Sequence, residues 1–257
     1  MNQHLQTLQD FIQLAEHLTA EEKILLLKSI KDADNAFAIS EFKLERTEKV
    51  KRTTAILLEE TIEELEHKRK AVEAQNKELE IESSLERVRT VAMSMNRPGD
   101  MLDVCKNISL QLQSLGVKDI RNVQTAIFYE EKGTYMNYEY YTNHDKTFIT
   151  ETTYTDHKIA KGFAAKMLKG KGETYTTHIK GEEKVKEWLA YQKTTNVFID
   201  TFLETASSLN YYWFSLGPVA LGISTYAILT DNELDLFKRF LNVFELAYRR
   251  YLDIEKQ

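Results

Sequence analysis

The chain has 257 residues, 42% of them hydrophobic and 29% charged, with a formal net charge of −6. That composition belongs to a folded, soluble protein rather than a disordered one. The acidic balance, 15 basic against 19 acidic residues up to Arg97 and 19 against 21 beyond it, leaves neither half a basic face for a phosphate backbone, so nucleic acid is excluded as a partner.

The start, Met1-Asn-Gln-His-Leu-Gln6, carries no basic segment followed by an apolar one. The longest apolar runs, Ile24 to Leu27 and Ala55 to Leu58, are far too short to cross a bilayer. A cytoplasmic chain without membrane insertion is expected. The single cysteine, Cys105, cannot form an internal disulfide and lies among Leu102, Ile108 and Leu112 at helical spacing, as a small core residue would.

No glycine or proline occurs before Pro98-Gly99, and the other eight glycines all follow that pair. A segment so free of helix breakers, and so rich in Glu, Lys, Arg, Leu and Ala, reads as nearly unbroken helix. Three parts are expected: a helical hairpin over 1–35, a coiled-coil signal helix over 36–97 and a mixed domain over 98–257. In the hairpin, Leu5, Leu8, Ile12 and Ala15 fall at helical spacing, and Thr19-Ala-Glu-Glu22 forms a capping-box signature before Ile24, Leu27 and Ile30.

From Ala36 a third helix is expected to reach Met95. Its seam is carried by Leu58, Ile62, Leu65, Val72 and Leu79 on alternating steps of four and three, with Arg69 and Asn76 at the intervening core positions. A core asparagine lowers stability but favours a parallel two-stranded arrangement. Glu64 with Lys68, Glu66 with Lys70 and Glu73 with Lys77 are acidic-first pairs at four-residue spacing. After Leu79 the apolar register moves by two, to Ile81, Leu85, Val88, Ala92 and Met95. Such a shift changes the local winding of a coiled coil and reads either as a packing irregularity or as a switchable joint.

Beyond Pro98-Gly99, Met101, Leu102, Cys105, Ile108, Leu112 and Leu115 mark an amphipathic helix that Gly116 stops. Strand-like runs follow over Val123–Glu130, Tyr135–Asn143 and Phe148–Asp156, an antiparallel meander turning first at Lys132-Gly133. A helix over Lys158–Leu168, a strand over Thr174–Ile179 and a long helical segment over Glu182–Ser208 come next. Two closing strands, Tyr211–Leu216 and Leu221–Ala227, lead to a second capping box, Thr230-Asp-Asn-Glu233. In the last helix Leu234, Phe237, Leu241, Phe244, Tyr248 and Tyr251 step by three and four, running on to Gln257. The end with Tyr248, Tyr251 and Leu252 is hard to bury within one domain and is expected either to join Leu58, Ile62, Leu65, Val72, Asn76, Leu79, Leu85 and Val88 in a dimer seam or to connect to a further element.

Signatures of catalysis are sparse. There is no Gly-rich phosphate loop, no Gly-x-Ser-x-Gly elbow and no His-Glu-x-x-His, and the six histidines are nowhere paired at ligand spacing on one helix. No catalytic or metal-ligating residue is assigned, and no cofactor is specified. His67 lies between Glu66 and Lys68 as in the phosphoacceptor box of sensor kinases, but the following proline and the ATP-binding glycine boxes are missing, so it reads as an exposed helix histidine. The chain is therefore expected not to be an enzyme.

Eleven of the thirteen tyrosines lie between Tyr129 and Tyr226, with Trp188 and Trp213 among them. On the second strand Tyr138 and Tyr140 share one face, and Tyr135 and Tyr141 point to the other. Aromatics on a concave sheet suit a small, partly polar ligand, although strands favour aromatics in any case and core packing is the alternative. A pocket is expected between the sheet and the Glu182–Ser208 segment, with Tyr138, Tyr140, His178, Trp188, Tyr191 and Trp213 as its candidate ligand-binding residues.

The segment Ile81-Glu-Ser-Ser-Leu-Glu-Arg-Val-Arg-Thr-Val-Ala-Met-Ser-Met95 resembles the incoming signal helix of GAF-like sensory domains in Bacteroidetes signalling proteins, often sensor histidine kinases. Leu236-Phe-Lys-Arg-Phe-Leu-Asn-Val-Phe-Glu-Leu-Ala-Tyr-Arg-Arg-Tyr-Leu-Asp253 resembles the exit helix of that family. The resemblance implies an α+β, GAF-like fold: an antiparallel sheet with the incoming and exit helices on one face, a ligand pocket on the other and parallel dimerisation through the helices. It also implies a two-component type of signalling role. An output module often follows the exit helix in such proteins, and here none does, so the chain reads as a sensory fragment or as a module acting in trans on a separate output protein. The expected function is a bacterial, homodimeric, non-enzymatic sensor that passes ligand or partner binding through coiled-coil helices. The alternative is a structural scaffold dimer with a ligand-free interaction domain.

Overall fold

In the computed structural model, which describes residues 2–256, the lack of helix breakers before Pro98 produces one very long helix. Helix α1 spans Gln3–Leu14 and α2 spans Ala20–Met93. The capping box at the start of α2 forms: the Thr19 N–H donates to Glu22 Oε2 at 2.8 Å and the Glu22 N–H to Thr19 Oγ1 at 3.3 Å. The expected break near Ala36 does not occur, and the second and third helices read from the sequence are one. Asp32, Asp34 and Asn35 lower helix propensity by at most about 0.7 kcal/mol each, and no proline or glycine accompanies them to remove a backbone hydrogen bond.

The chain divides into two units, Met1–Gln75 and Asn76–Gln257. In the first, α1 folds back on the start of α2, burying Ile12, Ala15 and Ile30. The Asn2 N–H donates to Asp34 Oδ1 at 2.8 Å, and Lys23 Nζ donates to the Gln13 carbonyl at 3.1 Å. Leu58, Ile62, Leu65 and Val72 are more than half exposed in the single chain. Lys68 pairs with Glu64 at 2.6 Å, whereas Glu73 takes Arg69, one turn earlier, at 3.4 Å.

The second unit is α+β. Past the end of α2 at Met93, Pro98 opens a short turn that the Asp100 carboxylate caps by accepting from the Asn96 and Arg97 N–H groups. Helix α3 (Met101–Ser114) is followed by Gly116 at φ 98°, a left-handed terminator that only glycine adopts freely. Strands β1 (Ile120–Tyr129), β2 (Thr134–Tyr141) and β3 (Lys146–Thr153) form the predicted meander. Helix α4 (Lys158–Met167), strand β4 (Thr174–Lys180) and helix α5 (Glu182–Gln192) come next, followed by β5 (Ser208–Ser215), β6 (Val219–Thr225) and α6 (Asp231–Glu255). The six strands make one antiparallel sheet in the order β3-β2-β1-β6-β5-β4.

One face of the sheet carries the main core. Ile127, Tyr138, Tyr212, Leu221 and Ile223 from the strands join Cys105, Ile108 and Leu112 of α3, Phe237, Phe240 and Phe244 of α6, and Val88 and Ala92 of α2. Thr230 and Glu233 form the second capping box, at the start of α6. Four residues expected along the dimer seam belong instead to this core: Leu85, Val88, Tyr248 and Tyr251 are between 0% and 8% exposed within the single chain. The stripe of α6, widened by Phe240 and Ala247, is matched by the shifted stripe of α2, so both are satisfied against the sheet without a second copy. The register shift coincides with that change of environment: Leu79 is 59% exposed and Ile81 is 8% exposed, in a helix that does not break. Arg239 of α6 adds a fork to Glu78 and Glu82 of α2 at 2.6 to 2.8 Å.

Candidate functional site

Strand alternation sends every second side chain of the sheet away from the α3 and α6 face. On β2 these are Tyr135, Asn137, Glu139 and Tyr141; on β5, Tyr211 and Trp213; on β4, Tyr175, Thr177 and Ile179; all of them line one cavity of about 120 Å³. Helix α4 closes it with Ile159, Ala160 and Phe163, and α5 with Trp188, Tyr191 and Gln192. A cavity of this size is in the class of the ~150 Å³ engineered void that admits a benzene-sized molecule.

Helix α5 is shorter than the expected Glu182–Ser208 segment. Thr194 Oγ1 donates to the Tyr191 carbonyl and Thr195 Oγ1 to the Gln192 carbonyl, both at 2.7 Å, and the N–H groups of the same two threonines share these acceptors at 2.9 and 3.0 Å, a tightened last turn at which the helix stops. The chain then crosses the cavity mouth, contributing Thr195 and Val197. Asp200 pins this crossing. Its carboxylate is fully buried, accepts from Arg121 Nε at 2.8 Å and from Tyr226 Oη at 2.7 Å, and meets His144 Nε2 at 3.0 Å.

The walls are aromatic. Phe163 lies 4.6 Å from Trp213 between ring centroids, and Trp188 Nε1 donates to Tyr211 Oη at 3.0 Å. Trp213 rests directly on Gly222 of β6, where a Cβ would sit 2.5 Å from the indole. Only a residue without a side chain lets the ring lie flat there.

The floor is polar and charged. Arg121 reaches the cavity face through an irregularity of register between Ile120 and Asn122, where β1 carries an extra residue against β6. Its guanidinium is 1% exposed, and its Nη2 has no hydrogen-bond partner. Glu139 is 2% exposed; its Oε1 accepts from Tyr141 Oη at 3.0 Å and Asn122 Nδ2 at 3.2 Å, while its Oε2 is unpartnered. The other buried cavity residues with an unpaired polar atom are Asn137 and Gln192. Buried polar groups are rarely left unsatisfied, and each such atom calls for an explanation. Four at one cavity are the pattern of a recognition surface.

Burial pushes the Glu139 carboxyl up to about 6, against the attraction of Arg121 and the side chains of Tyr141 and Asn137. Burial disfavours the Arg121 cation as well, but the oxygens of Tyr211 and Tyr141 and the Asp200 carboxylate outweigh it and hold its pKa above the ordinary range. For Asp200, burial is overcome by the charge of Arg121 and the hydrogen bonds from His144, Tyr226 and Arg121, so its pKa is lowered. At neutral pH the floor therefore holds one cation against two carboxylates.

Of the six candidate ligand-binding residues, Trp188, Tyr191 and Trp213 line the cavity. Tyr138, Tyr140 and His178 lie on the opposite side of the sheet, one position out of phase on their strands. Tyr138 Oη donates to Tyr251 Oη at 3.4 Å, Tyr140 Oη to Asp145 Oδ1 at 3.1 Å, and His178 Nδ1 meets Asn210 Oδ1 at 2.8 Å. Cys105 is buried in the main core, where burial pushes its thiol pKa up. Among the described residues, no three His, Cys, Asp or Glu side chains gather as a metal-holding group, and no helix is long and apolar enough to cross a membrane. The polar floor is the part that sequence reasoning missed. Asn137 and Glu139 alternate in phase with Tyr135 and Tyr141, so strand periodicity alone would have placed them; Arg121 carries no such signal. No family model matches the chain, and no curated protein or solved structure is significantly similar to it.

Proposed function

We propose that this chain is a non-enzymatic, homodimeric signalling module whose GAF-like domain binds a small molecule and passes that event to helices α2 and α6. The observation that carries this reading is the cavity: a concave, aromatic-walled space with buried polar atoms left unpaired on its floor is built for occupancy. A scaffold dimer has no use for such a space and would gain stability by filling it.

The route from cavity to helices is short. Trp213 in the cavity wall neighbours Phe214, whose ring packs 5.7 Å from Phe237 of α6 on the other face. Arg239 of α6 grips Glu78 and Glu82 of α2. A ligand that binds one arrangement of this packed chain better than another shifts its population by that difference in affinity. The exposed apolar residues Leu58, Ile62, Leu65, Val72 and Leu79 support pairing of α2 with a second copy, with Asn76 setting register. An output protein acting in trans would read the change.

Native mass spectrometry of freshly purified protein tests the reading, since it reports stoichiometry and retained small molecules together. A dimer carrying bound mass is expected; a monomer with no bound mass after exposure to a metabolite extract would refute it. Cysteine crosslinking along Leu58 to Leu79 should then differ between the empty and occupied forms. Identical patterns would remove the relay.

A further inference from the structure

Resting on the reading of the cavity as a ligand site, we propose that its ligand is a small, neutral nitrogen heterocycle presenting a lactam edge, with a ring N–H donated to Glu139 Oε2 and the adjacent carbonyl accepting from Arg121 Nη2.

Size, charge and hydrogen-bonding capacity converge on this class. A cavity of about 120 Å³ takes a single ring within its walls, and any larger substituent would have to lie outside the mouth. The walls, formed by Tyr135, Phe163, Tyr175, Trp188, Tyr211 and Trp213, favour a flat apolar-faced body over an aliphatic chain. Two buried groups then fix the polar edge. Glu139 Oε2 is an acceptor without a donor, and Arg121 Nη2 is a donor without an acceptor.

Net charge separates the alternatives. An organic anion would find Arg121 already committed to Asp200 at 2.8 Å and would face the Glu139 carboxylate in the same cavity. An organic cation would suit Glu139 and the aromatic faces but would leave the guanidinium N–H pointing at a positive charge. A purely apolar ring would cover both polar atoms and satisfy neither, which carries the full desolvation penalty. A neutral ring with a donor and an acceptor side by side satisfies both and adds no charge.

The test uses the full chain and four monocyclic probes: 2-pyridone, N-methyl-2-pyridone, benzylamine and benzoate. Ligand-observed NMR and isothermal titration calorimetry report binding. The expected result is that 2-pyridone binds, N-methylation weakens it at least tenfold, and benzylamine and benzoate bind more weakly than 2-pyridone. Glu139→Gln, confirmed folded by circular dichroism, should also weaken 2-pyridone at least tenfold. The N-methyl comparison carries the same test on the wild-type chain should the variant fail to fold. Tighter binding of benzylamine or benzoate, or indifference to N-methylation, would overturn the lactam assignment and leave the ligand-site reading standing. Failure of all four probes at 10 mM would overturn the assignment together with the cavity's role as a binding site.

Discussion

The contact between Gly222 and Trp213 gives the sharpest perturbation of the cavity. In Gly222→Ala the new Cβ would lie 2.5, 2.6 and 2.8 Å from Cε3, Cδ2 and Cε2 of the indole, whereas carbon atoms rest about 3.5 to 4.0 Å apart. The ring must therefore move by about 1 Å, and the direction open to it is into the cavity. Overpacking of this kind costs about 1–3 kcal/mol. Against it stands the reduced freedom of the unfolded chain on replacing glycine, worth about 0.4–1 kcal/mol. A net destabilisation of about 1–2 kcal/mol is expected, read from urea unfolding followed by circular dichroism. The same substitution in a Trp213→Leu background, which removes the fused ring, should be neutral or stabilising, giving a coupling energy of about 1–3 kcal/mol between the two positions. Additive effects would show that the indole does not rest on this glycine, and the shape assigned to the cavity would be wrong.

Glu139→Gln is expected to stabilise the protein at neutral pH while impairing binding. Burial raises this carboxyl to about 6 despite Arg121 and Tyr141, so between its ordinary value of 4.5 and that value the folded state holds the proton more tightly and stability falls as pH rises. The shift corresponds to about 2 kcal/mol, so stability curves of wild type and variant should merge below pH 4.5 and separate fully above 6. Asp200 has the opposite sign. Its pKa is lowered, so its contribution is complete at neutral pH and is lost as pH falls through the folded value. Asp200→Asn should cost about 3–5 kcal/mol at neutral pH by breaking the buried ion pair with Arg121, the direct contact at 2.8 Å that Glu139 does not replace; a change under 1 kcal/mol in urea unfolding would refute the pinning role of Asp200. The proposed pairing of α2 predicts that Ile62→Glu combined with Leu65→Glu shifts sedimentation of the full chain from dimer to monomer without loss of helical signal, since both positions are exposed within one chain.

Much of the fold was legible because local rules and tertiary packing agree in it. The residues of the meander, the two Thr–Glu capping boxes, Gly116 and Pro98 each dictate local backbone, and the structure uses them as the sequence implies. Three features depended on partners that periodicity does not reveal. The stripe ending in Tyr248 and Tyr251 looks too long for one domain until α2 and the sheet are set beside it. The end of α5 rests on two threonines whose hydroxyls and N–H groups share the last helical carbonyls, in a stretch with no glycine or proline. Arg121 reaches the cavity only because one extra residue in β1 breaks the two-residue period, and its neighbour Ile120 faces the core on the other side. For the site, aromatic enrichment located the region, but the phase of each strand decided which aromatics belong to it.

Trp188 and Trp213 are the only tryptophans in the chain, and both stand in the wall of the same cavity. Excitation at the red edge of protein absorbance therefore interrogates that one chamber and nothing else in the molecule. The protein carries its own optical gauge: emission colour and quenching by small solutes track hydration between α4, α5 and the sheet, without a label.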